Sequence, residues 1–218
     1  MQLQNFFKAA ARYTVAGLLL GYSVLSHASE ASLVHGLYRK SKVEDGLSKS
    51  EITLGARYAQ QFSQSMFWFA QGGLSIKSYS SGGDITPDST NDISTFGGIR
   101  MYFDRINETF TPYGMVSGGF QTISDASQPV ANTINETKES GLYYGAAIGL
   151  RMNLSKAFFL DLEAPLFNSA LSAERKTTNT TQVGSAKTET TSKTTRQELY
   201  LDSSGAFGDL ILSFGMRI

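Results

Sequence analysis

The chain has 218 residues, and its 19 basic and 19 acidic side chains give no formal net charge, which argues against a strongly basic nucleic-acid binder. Charged residues make up only 17% of the chain, against about 25% in an average soluble domain. No cysteine is present, which excludes a disulfide, a thiolate metal site and a cysteine nucleophile.

Residues 1–28 have the features of a secretory signal peptide. Lys8 and Arg12 provide a basic start without acidic residues, and an apolar stretch follows. Small residues stand at the −3 and −1 positions of a cleavage site after Ala28. The apolar stretch is only about half as long as the roughly 20 residues that a membrane-spanning helix needs. We therefore predict that residues 1–28 are removed on export and that 29–218 form one mature domain.

Eight segments of the mature chain alternate between apolar and polar or small residues with a period of two. This pattern predicts β-strands that have one face in an apolar environment. For the first and fifth strands the alternation leaves open which face points inward. The predicted strands are 31–41, 50–60, 65–79, 92–104, 110–123, 139–153, 157–168 and 206–218.

The connections between these strands alternate strictly in length. Three are short, namely Gln60–Gln64, Asp104–Thr109 and Asn153–Lys156. Four are longer and rich in Ser, Thr, Asp, Asn and Gly, namely Lys42–Lys49, Ser80–Asn91, Ser124–Lys138 and Ser169–Gly205. In an up-and-down arrangement all short turns then fall at one end. The sequence therefore predicts an all-β fold, an eight-stranded antiparallel up-and-down transmembrane β-barrel with short periplasmic turns.

The distribution of side chains over the two strand faces favours lipid outside the barrel. The less apolar face carries the charged residues of the strands, whereas a soluble lipocalin-like barrel would place its apolar face inside. Aromatic residues of the apolar face gather near the short turns, as in an interfacial aromatic girdle. The predicted girdle consists of Tyr58, Trp68, Phe103, Phe158 and Phe214.

Five charged residues of the less apolar face lie at a similar distance from the short turns. They are Arg57, Arg100, Arg151, Asp161 and Glu163. Unpaired charges in a narrow lumen are costly. We therefore predict a charge network that joins both carboxylates to Arg151 and Arg100, with Arg57 as its outer member, and that plugs the barrel. In the alternative, each charge is separately hydrated in a wet lumen.

Three segments resemble the small outer-membrane β-barrel domains of Gram-negative bacteria, the OmpA, OmpX and opacity-protein relatives. They are FGGIRMYF (96–103), TPYGMVSGGF (111–120) and GLYYGAAIGLRMNLSKAFFLDLEAPLF (141–167). The resemblance implies a place in the outer membrane of a Gram-negative bacterium. It also implies contact with outer-membrane lipid and lipopolysaccharide, and with the barrel-assembly machinery during biogenesis.

The sequence gives little support to an enzyme. A lipid hydrolase of this architecture needs a His beside a Ser, with a carboxylate to orient the His. His27 lies in the predicted signal peptide, and His35 is the only histidine of the mature chain, without a clear Ser–carboxylate companion. One histidine and no Asp/Glu cluster of suitable spacing also argue against a metal site. We expect no catalytic residue, cofactor, metal or nucleic-acid partner.

The last long connection contains a low-complexity segment, Glu174–Gln197, made mostly of Thr, Lys, Ser and Glu. It can be read as a solvated flexible loop or as a surface contact region, and its Thr content could extend the flanking strands. The functional hypothesis is a structural or surface-interaction scaffold that presents four extracellular loops, with host or phage contacts through 169–205. The alternative is a narrow OmpW-like channel for ions or small molecules.

Overall fold

The computed structural model describes residues 28–44, 47–81, 85–196 and 210–218, and the regular structure in them is β-strand. The strands are β1 (Ser29–Glu44), β2 (Leu47–Gln61), β3 (Met66–Ser81), β4 (Thr90–Tyr102), β5 (Phe110–Val130), β6 (Thr133–Asn153), β7 (Phe158–Val183), β8 (Ala186–Arg196) and β9 (Ile211–Arg217). The predicted signal peptide, apart from Ala28, lies outside the described residues. In the part of the chain that the structure describes, no helix is long and apolar enough to cross a membrane.

Eight of these strands form a closed antiparallel ring. Strands β1 to β7 each pair with the next along the chain, and β9 pairs with both β7 and β1. Closure removes the free strand edges and pairs the backbone groups within the ring. The predicted eight-stranded antiparallel up-and-down barrel is therefore confirmed.

The short connections lie together at one end of the barrel, here called the turn end. They comprise residues 62–65, 103–109 and 154–157, each within two residues of the predicted bounds. Two of them are fixed by a polar side chain that accepts backbone hydrogen bonds, as such turns commonly are. Asn107 Oδ1 accepts from the N–H groups of Thr109 and Phe110, both at 2.9 Å. Ser155 Oγ accepts from those of Ala157 and Phe158.

Two segments that were predicted as long loops are strands instead. The 124–138 segment is the continuation of β5 and β6, and the 169–205 segment contains the end of β7 and all of β8. Apolar residues are few in these segments, so the apolar alternation that marks a strand is missing, while the Thr-rich sequence of 177–195 still favours one. Tight turns at Asn132 and Gly184, both with φ of 63°, connect β5 to β6 and β7 to β8.

The remaining bounds differ less. The predicted loop 42–49 is shorter, because β1 runs to Glu44 and β2 starts at Leu47. Of the predicted loop 80–91, residues 85–89 lie outside the strands, β3 ends at Ser81, β4 starts at Thr90, and 82–84 lie outside the described residues. Of the eighth predicted strand, 206–218, the described part is β9, and 197–209 lie outside the described residues.

Large apolar side chains point away from the ring along every one of its strands. Exposed examples include Leu33, Leu54, Leu74, Ile99, Val116, Ile148, Leu162 and Phe214. The two undecided strands follow the same rule. On β1, Glu30, Ser32 and Val34 are buried in the lumen, and on β5, Thr111 and Tyr113 are. The barrel is thus apolar outside and polar inside.

The far ends of β5 to β8 continue beyond the ring as a four-stranded sheet in the order β5–β6–β7–β8. We call it the extension sheet; it comprises 124–130, 133–140, 174–183 and 186–196. Its β5 margin is tied to the inner side of β3 and β4, where the Ser124 N–H donates to Asp92 Oδ1 at 2.8 Å. The sheet therefore leans over the mouth of the barrel opposite the turn end.

Closure of the ring predicts a heat-dependent change in gel mobility. Unfolding requires many strand ladders to open together, since the ring has no free edge from which to fray. We expect a detergent-purified sample to migrate differently before and after boiling in sodium dodecyl sulfate, with a β-type circular dichroism spectrum before boiling. Identical migration of both samples would contradict a closed barrel.

Candidate functional site

Six charged side chains meet inside the barrel near its turn end, and we call them the lumen network. They are Glu30 on β1, Arg57 on β2, Arg100 on β4, Arg151 on β6, and Asp161 and Glu163 on β7. Each is at most 4% exposed. Successive residues of a strand point to opposite faces. Because the apolar neighbours of these six residues point outward to the apolar surface, the charged side chains point into the lumen. The network contains three cations and three carboxylates.

Arg57 and Glu163 form a two-pronged ion pair across the lumen. Arg57 Nη2 donates to Glu163 Oε2 at 2.9 Å, and Arg57 Nη1 donates to Glu163 Oε1. Arg57 Nε donates to Gln71 Oε1 at 2.8 Å on the neighbouring strand. The planar guanidinium suits this bidentate geometry, which gives both strength and direction. Arg57 was predicted as the outer member of the network, whereas in the structure it is the main partner of Glu163.

Asp161 lies between two guanidinium groups. Arg151 binds it with Nε at 2.7 Å and Nη2 at 2.9 Å, and Arg100 Nη1 donates to it at 3.1 Å. Arg100 Nη2 also lies 3.7 Å from Glu163 Oε1. Arg100 therefore connects the Asp161 group to the Arg57–Glu163 pair, and the five residues singled out in the sequence form one connected group.

Glu30 is the member that the sequence reasoning missed. Arg151 Nη2 donates to Glu30 Oε2 at 3.0 Å, and Arg151 Nη1 donates to Glu30 Oε1. Glu30 precedes the predicted start of the first strand, which is why it was overlooked. A signal was nevertheless present, because three arginines and two carboxylates leave one buried positive charge without a partner. The structure supplies the third carboxylate from β1.

Aromatic rings cover the guanidinium groups of the network. Arg151 Cζ lies 3.6 Å from the ring centre of Phe159, and Arg100 Cζ lies 4.6 Å from that of Tyr113. A cation over an aromatic face is attracted by the ring quadrupole, most strongly where water is excluded. The rings also fill space between the charged groups, so the lumen is occupied by side chains at this level, as expected of eight strands.

Two glycines make room for these rings. A Cβ atom at Gly215 would lie 2.2 Å from Phe159 Cζ, and one at Gly149 would lie 2.3 Å from Tyr113 Cζ. Both glycines stand on inward positions, so any side chain would displace a ring from the network. Close ring approach, rather than turn geometry, accounts for these two glycines.

A second polar group lies nearer the mouth. Lys77 Nζ is 2.6 Å from Asp92 Oδ2 and donates to the Ser124 carbonyl at 2.5 Å. Lys49 Nζ and the Tyr79 hydroxyl both reach Asp125 Oδ1 at 3.4 Å. Burial raises the pKa of Tyr79 above its ordinary value, so the hydroxyl keeps its proton and donates. These contacts hold β5 of the extension sheet against β2, β3 and β4.

The residues of the predicted aromatic girdle lie on the outer surface near the turn end. Tyr58 and Trp68 pack with ring centres 5.5 Å apart, and Phe158 and Phe214 stack at 5.8 Å. Phe103 is 49% exposed beside the second short turn. The structure thus pairs four of the five predicted rings on neighbouring strands.

His35 faces outward on β1, between Leu54 of β2 and Leu212 of β9. His27 lies outside the described residues. Among the described residues, no group of acidic or histidine side chains is arranged to hold a metal ion. The lumen network is the candidate site because it brings six buried charges into contact, and its chemistry is that of ion pairing.

Comparisons with known proteins give structural neighbours only. Neither a scan of protein-family models nor a search of curated proteins finds a match. Among solved structures, the chain is similar to the N-terminal β-barrel domain of Pseudomonas aeruginosa OprF, with 9% identity and a TM-score of 0.43 over 88% of this chain and all of that one. It is also similar to Ail of Yersinia pestis, with 13% identity and a TM-score of 0.39 over 89% of this chain and all of that one. A third neighbour is an outer membrane channel from Pseudomonas putida, with 10% identity and a TM-score of 0.35 over 90% of this chain and 97% of that one.

Replacing Glu163 tests the pairing of the buried charges. Glu163→Ala leaves Arg57 without its bidentate partner, and a stranded buried charge costs roughly 3–5 kcal/mol. We expect the variant to unfold at a lower temperature in detergent than the wild type. The mobility shift on gels measures this temperature. Glu108→Ala, an exposed carboxylate in a short turn, is the control and should leave the temperature unchanged. Equal stability of both variants would show that Glu163 has no stabilising pair.

A glycine substitution tests the packing of the aromatic rings. Gly215→Ala should be destabilising by roughly 1–3 kcal/mol, because the rigid Phe159 ring must move. Gly72→Ala is the matched control, since a Cβ there meets nothing within 4 Å. Thermal unfolding of both variants is the measurement. A loss of stability in Gly72→Ala as large as in Gly215→Ala would indicate a general need for glycine in strands instead.

Proposed function

We propose that the chain is an outer-membrane β-barrel of a Gram-negative bacterium and serves as a closed scaffold that presents the extension sheet outside the cell. The apolar outer surface of the ring supports the membrane setting. Exposed side chains such as Leu54 and Val116, at 52% and 59% exposure, suit contact with lipid acyl chains. The predicted export signal in residues 1–28 agrees with this location, and folding would depend on the barrel-assembly machinery.

The lumen network is the observation that supports a closed barrel. Three arginines and three carboxylates bind one another across the lumen at one level. Permeation past this level would require separating buried ion pairs, and a buried charge that loses its partner is costly. The network acts as a plug and fixes the shape of the barrel, and no chemistry of bond cleavage is needed from it.

The extension sheet supports a role in surface contact. Its last strand, β8, pairs with β7 on one side, and residues 186–195 are exposed. A hydrogen-bonded sheet rich in Thr, Lys and Glu presents side chains at the regular spacing of paired strands, and such preorganisation lowers the entropy cost of binding compared with a flexible loop. Host or phage surfaces are the partners we propose for this region.

A narrow channel is the second candidate, supported by unused hydrogen-bonding capacity in the lumen. Among the described residues, Arg100 Nε and Nη2, Tyr113 Oη and Ser213 Oγ are buried without a hydrogen-bond partner. Polar atoms of this kind can line a path for water or small ions beside the network. This candidate differs from a plugged scaffold in one measurable property, ion conductance.

Conductance across planar bilayers separates the two candidates. We expect the wild-type barrel to give no sustained current, because the paired charges fill the lumen, and Glu163→Ala to raise the conductance. Glu108→Ala serves again as the control and should behave as wild type. Stepwise current from the wild type would favour the channel, and a silent Glu163→Ala variant would show that the network is not a plug.

Cysteine labelling tests the orientation, since the chain contains no cysteine of its own. A membrane-impermeant maleimide should label Thr190→Cys on β8 in intact cells. It should label Lys156→Cys in a short turn only after the outer membrane is opened. The reverse pattern would invert the topology, and labelling of neither position in opened cells would show that the protein is not in the envelope.

A further inference from the structure

Strand β8 forms one edge of the extension sheet. It pairs with β7 from Ala186 to Arg196 without a register shift. Among the described residues, no strand pairs with its other side, and residues 186–195 are exposed. A strand edge of this kind presents backbone N–H and C=O groups with which another chain can pair.

The hydrogen bonds of the neighbouring strand show which residues of β8 present these groups. The Gln182 N–H on β7 donates to the Asn132 carbonyl at 2.9 Å, so the even-numbered residues of β7 direct their backbone groups toward β6. Successive residues of a ladder turn these groups to opposite sides. Odd-numbered residues of β7 therefore bond to even-numbered residues of β8, such as Thr181 to Thr188. The free edge of β8 is then formed by the backbone of residues 187, 189, 191, 193 and 195.

The β8 edge lacks most of the features that prevent strand edges from pairing. Such features include short strands, prolines, bulges and lysines. β8 has 11 residues and no proline, and its many threonines favour an extended, paired strand. It carries Lys187 and Lys193, but Glu189 lies between them on the same face. The lysines therefore protect the edge only in registers that place like charges opposite each other.

In one register, the charges of β8 are complementary to those of β8 in a second, antiparallel copy. The register that pairs all 11 residues places Thr191 opposite Thr191 of the second copy. Glu189 then lies opposite Lys193 of the second copy, and Lys193 lies opposite its Glu189. Odd-numbered residues face odd-numbered residues, so the backbone groups of the two free edges meet. Opposite charges at directly facing positions also stabilise a sheet.

Symmetric registers centred one or two residues away are less favourable. A register centred on Glu189 or on Lys193 places two like charges directly opposite each other. A register centred on Thr190 places Lys187 opposite Lys193 of the second copy. A register centred on Ser192 pairs fewer residues and gives Glu189 no oppositely charged partner. The length of the overlap and the charges therefore favour the same, full-length register.

The ion pairs that Glu189 and Lys193 form within their own chain do not prevent this pairing. Lys187 Nζ lies 2.8 Å from Glu189 Oε1, and Lys193 Nζ lies 3.2 Å from Glu174 Oε1. All four side chains are more than half exposed. Exposed ion pairs contribute little free energy, so Glu189 and Lys193 remain available to a second copy.

We infer that β8 pairs with β8 of a second copy of this chain, which joins two extension sheets into one continuous sheet about a two-fold axis at Thr191. The inference goes beyond the proposed function, because the partner is the protein itself and not a host or phage surface. Each copy contributes the same strand edge, as a symmetric dimer requires. Backbone hydrogen bonds provide the affinity, as in other cases of strand addition, and the facing of Glu189 and Lys193 fixes the register.

Disulfide cross-linking tests the pairing, since the chain has no cysteine of its own. The full chain with Thr191→Cys is folded in detergent micelles and mildly oxidised. We expect a disulfide-linked dimer on non-reducing gels, because Cα atoms at directly bonded positions lie about 5.5 Å apart, within reach of a disulfide. Thr178→Cys is the matched control, since Thr178 is the ladder partner of Thr191 on β7 and is separated from the second copy by β8. Equal dimer yields from both variants, or no dimer from Thr191→Cys, would overturn the inference.

Two further cysteine variants test the register. Thr190 and Ser192 of the second copy face each other directly in the full-length register, whereas identical residues at either position lie diagonally, about 7–8 Å apart. That distance exceeds the reach of a disulfide. A mixture of Thr190→Cys and Ser192→Cys chains should therefore give a cross-linked heterodimer, and each variant alone should give little. Stronger cross-linking of either variant alone would contradict the full-length register.

Charge reversal tests the facing of Glu189 and Lys193. The monomer–dimer equilibrium in detergent is measured by analytical ultracentrifugation. Lys193→Glu should weaken dimerisation by about tenfold, because each dimer exchanges two opposite-charge pairs for two like-charge pairs. The second substitution Glu189→Lys in the same chain should restore dimerisation. Lys187→Glu is the matched control, since Lys187 faces the uncharged Thr195 of the second copy. Equal weakening by Lys187→Glu and Lys193→Glu, or failure of the double variant to recover, would overturn the assigned contact.

The gel-mobility shift reports folding of the barrel in every sample. A wild type that shows the shift but stays monomeric would leave the β8 edge to strands of other proteins. That result would overturn the inference and leave the proposed function in place. A wild type without the shift would contradict the closed barrel of the proposed function, and the inference about β8 would fall with it.

Discussion

The pairing of six buried charges in a narrow lumen is the constraint on which the rest of this barrel depends. Arg57 and Glu163 are 106 positions apart in the chain, yet their side chains bond directly. This contact requires Arg57 on β2 and Glu163 on β7 to lie at the same level along the barrel axis. A shift of either strand by one residue would turn its charged set outward and its apolar set inward. The network therefore stabilises the register of distant strands as well as the interior.

The interior is built differently from that of a soluble domain. Apolar side chains lie on the outside, so close packing inside comes from guanidinium groups, carboxylates and aromatic rings. Phe159 and Tyr113 lie against Arg151 and Arg100, and the absence of side chains at Gly215 and Gly149 gives these rings space. Polar and aromatic groups together fill the lumen near the turn end, which links the packing of the barrel to its permeability.

The mouth of the barrel has a separate role. Lys77 and Asp92 bind the backbone of Ser124. Asp125 pairs with Lys49 and accepts a hydrogen bond from the Tyr79 hydroxyl. These contacts anchor one margin of the extension sheet, while β8 forms its other margin. Strands β5, β6 and β7 of the ring thus continue into a sheet beyond it, to which β8 is added on the far side of β7.

The sequence by itself determined the barrel, because lipid-facing and lumen-facing residues alternate along each strand. Short and long connections also alternate between consecutive strands, which places the short turns at one end. It also identified Arg57, Arg100, Arg151, Asp161 and Glu163 as inward charges at a common level. Tertiary structure alone decided which charges pair, since pairing depends on the positions of side chains along the barrel axis on opposite strands. It also added Glu30 from β1. It also decided that 124–138 and 169–205 contain strands. These segments contain few apolar residues, so no apolar alternation marks them as strands, and only pairing with a neighbouring strand shows that they are.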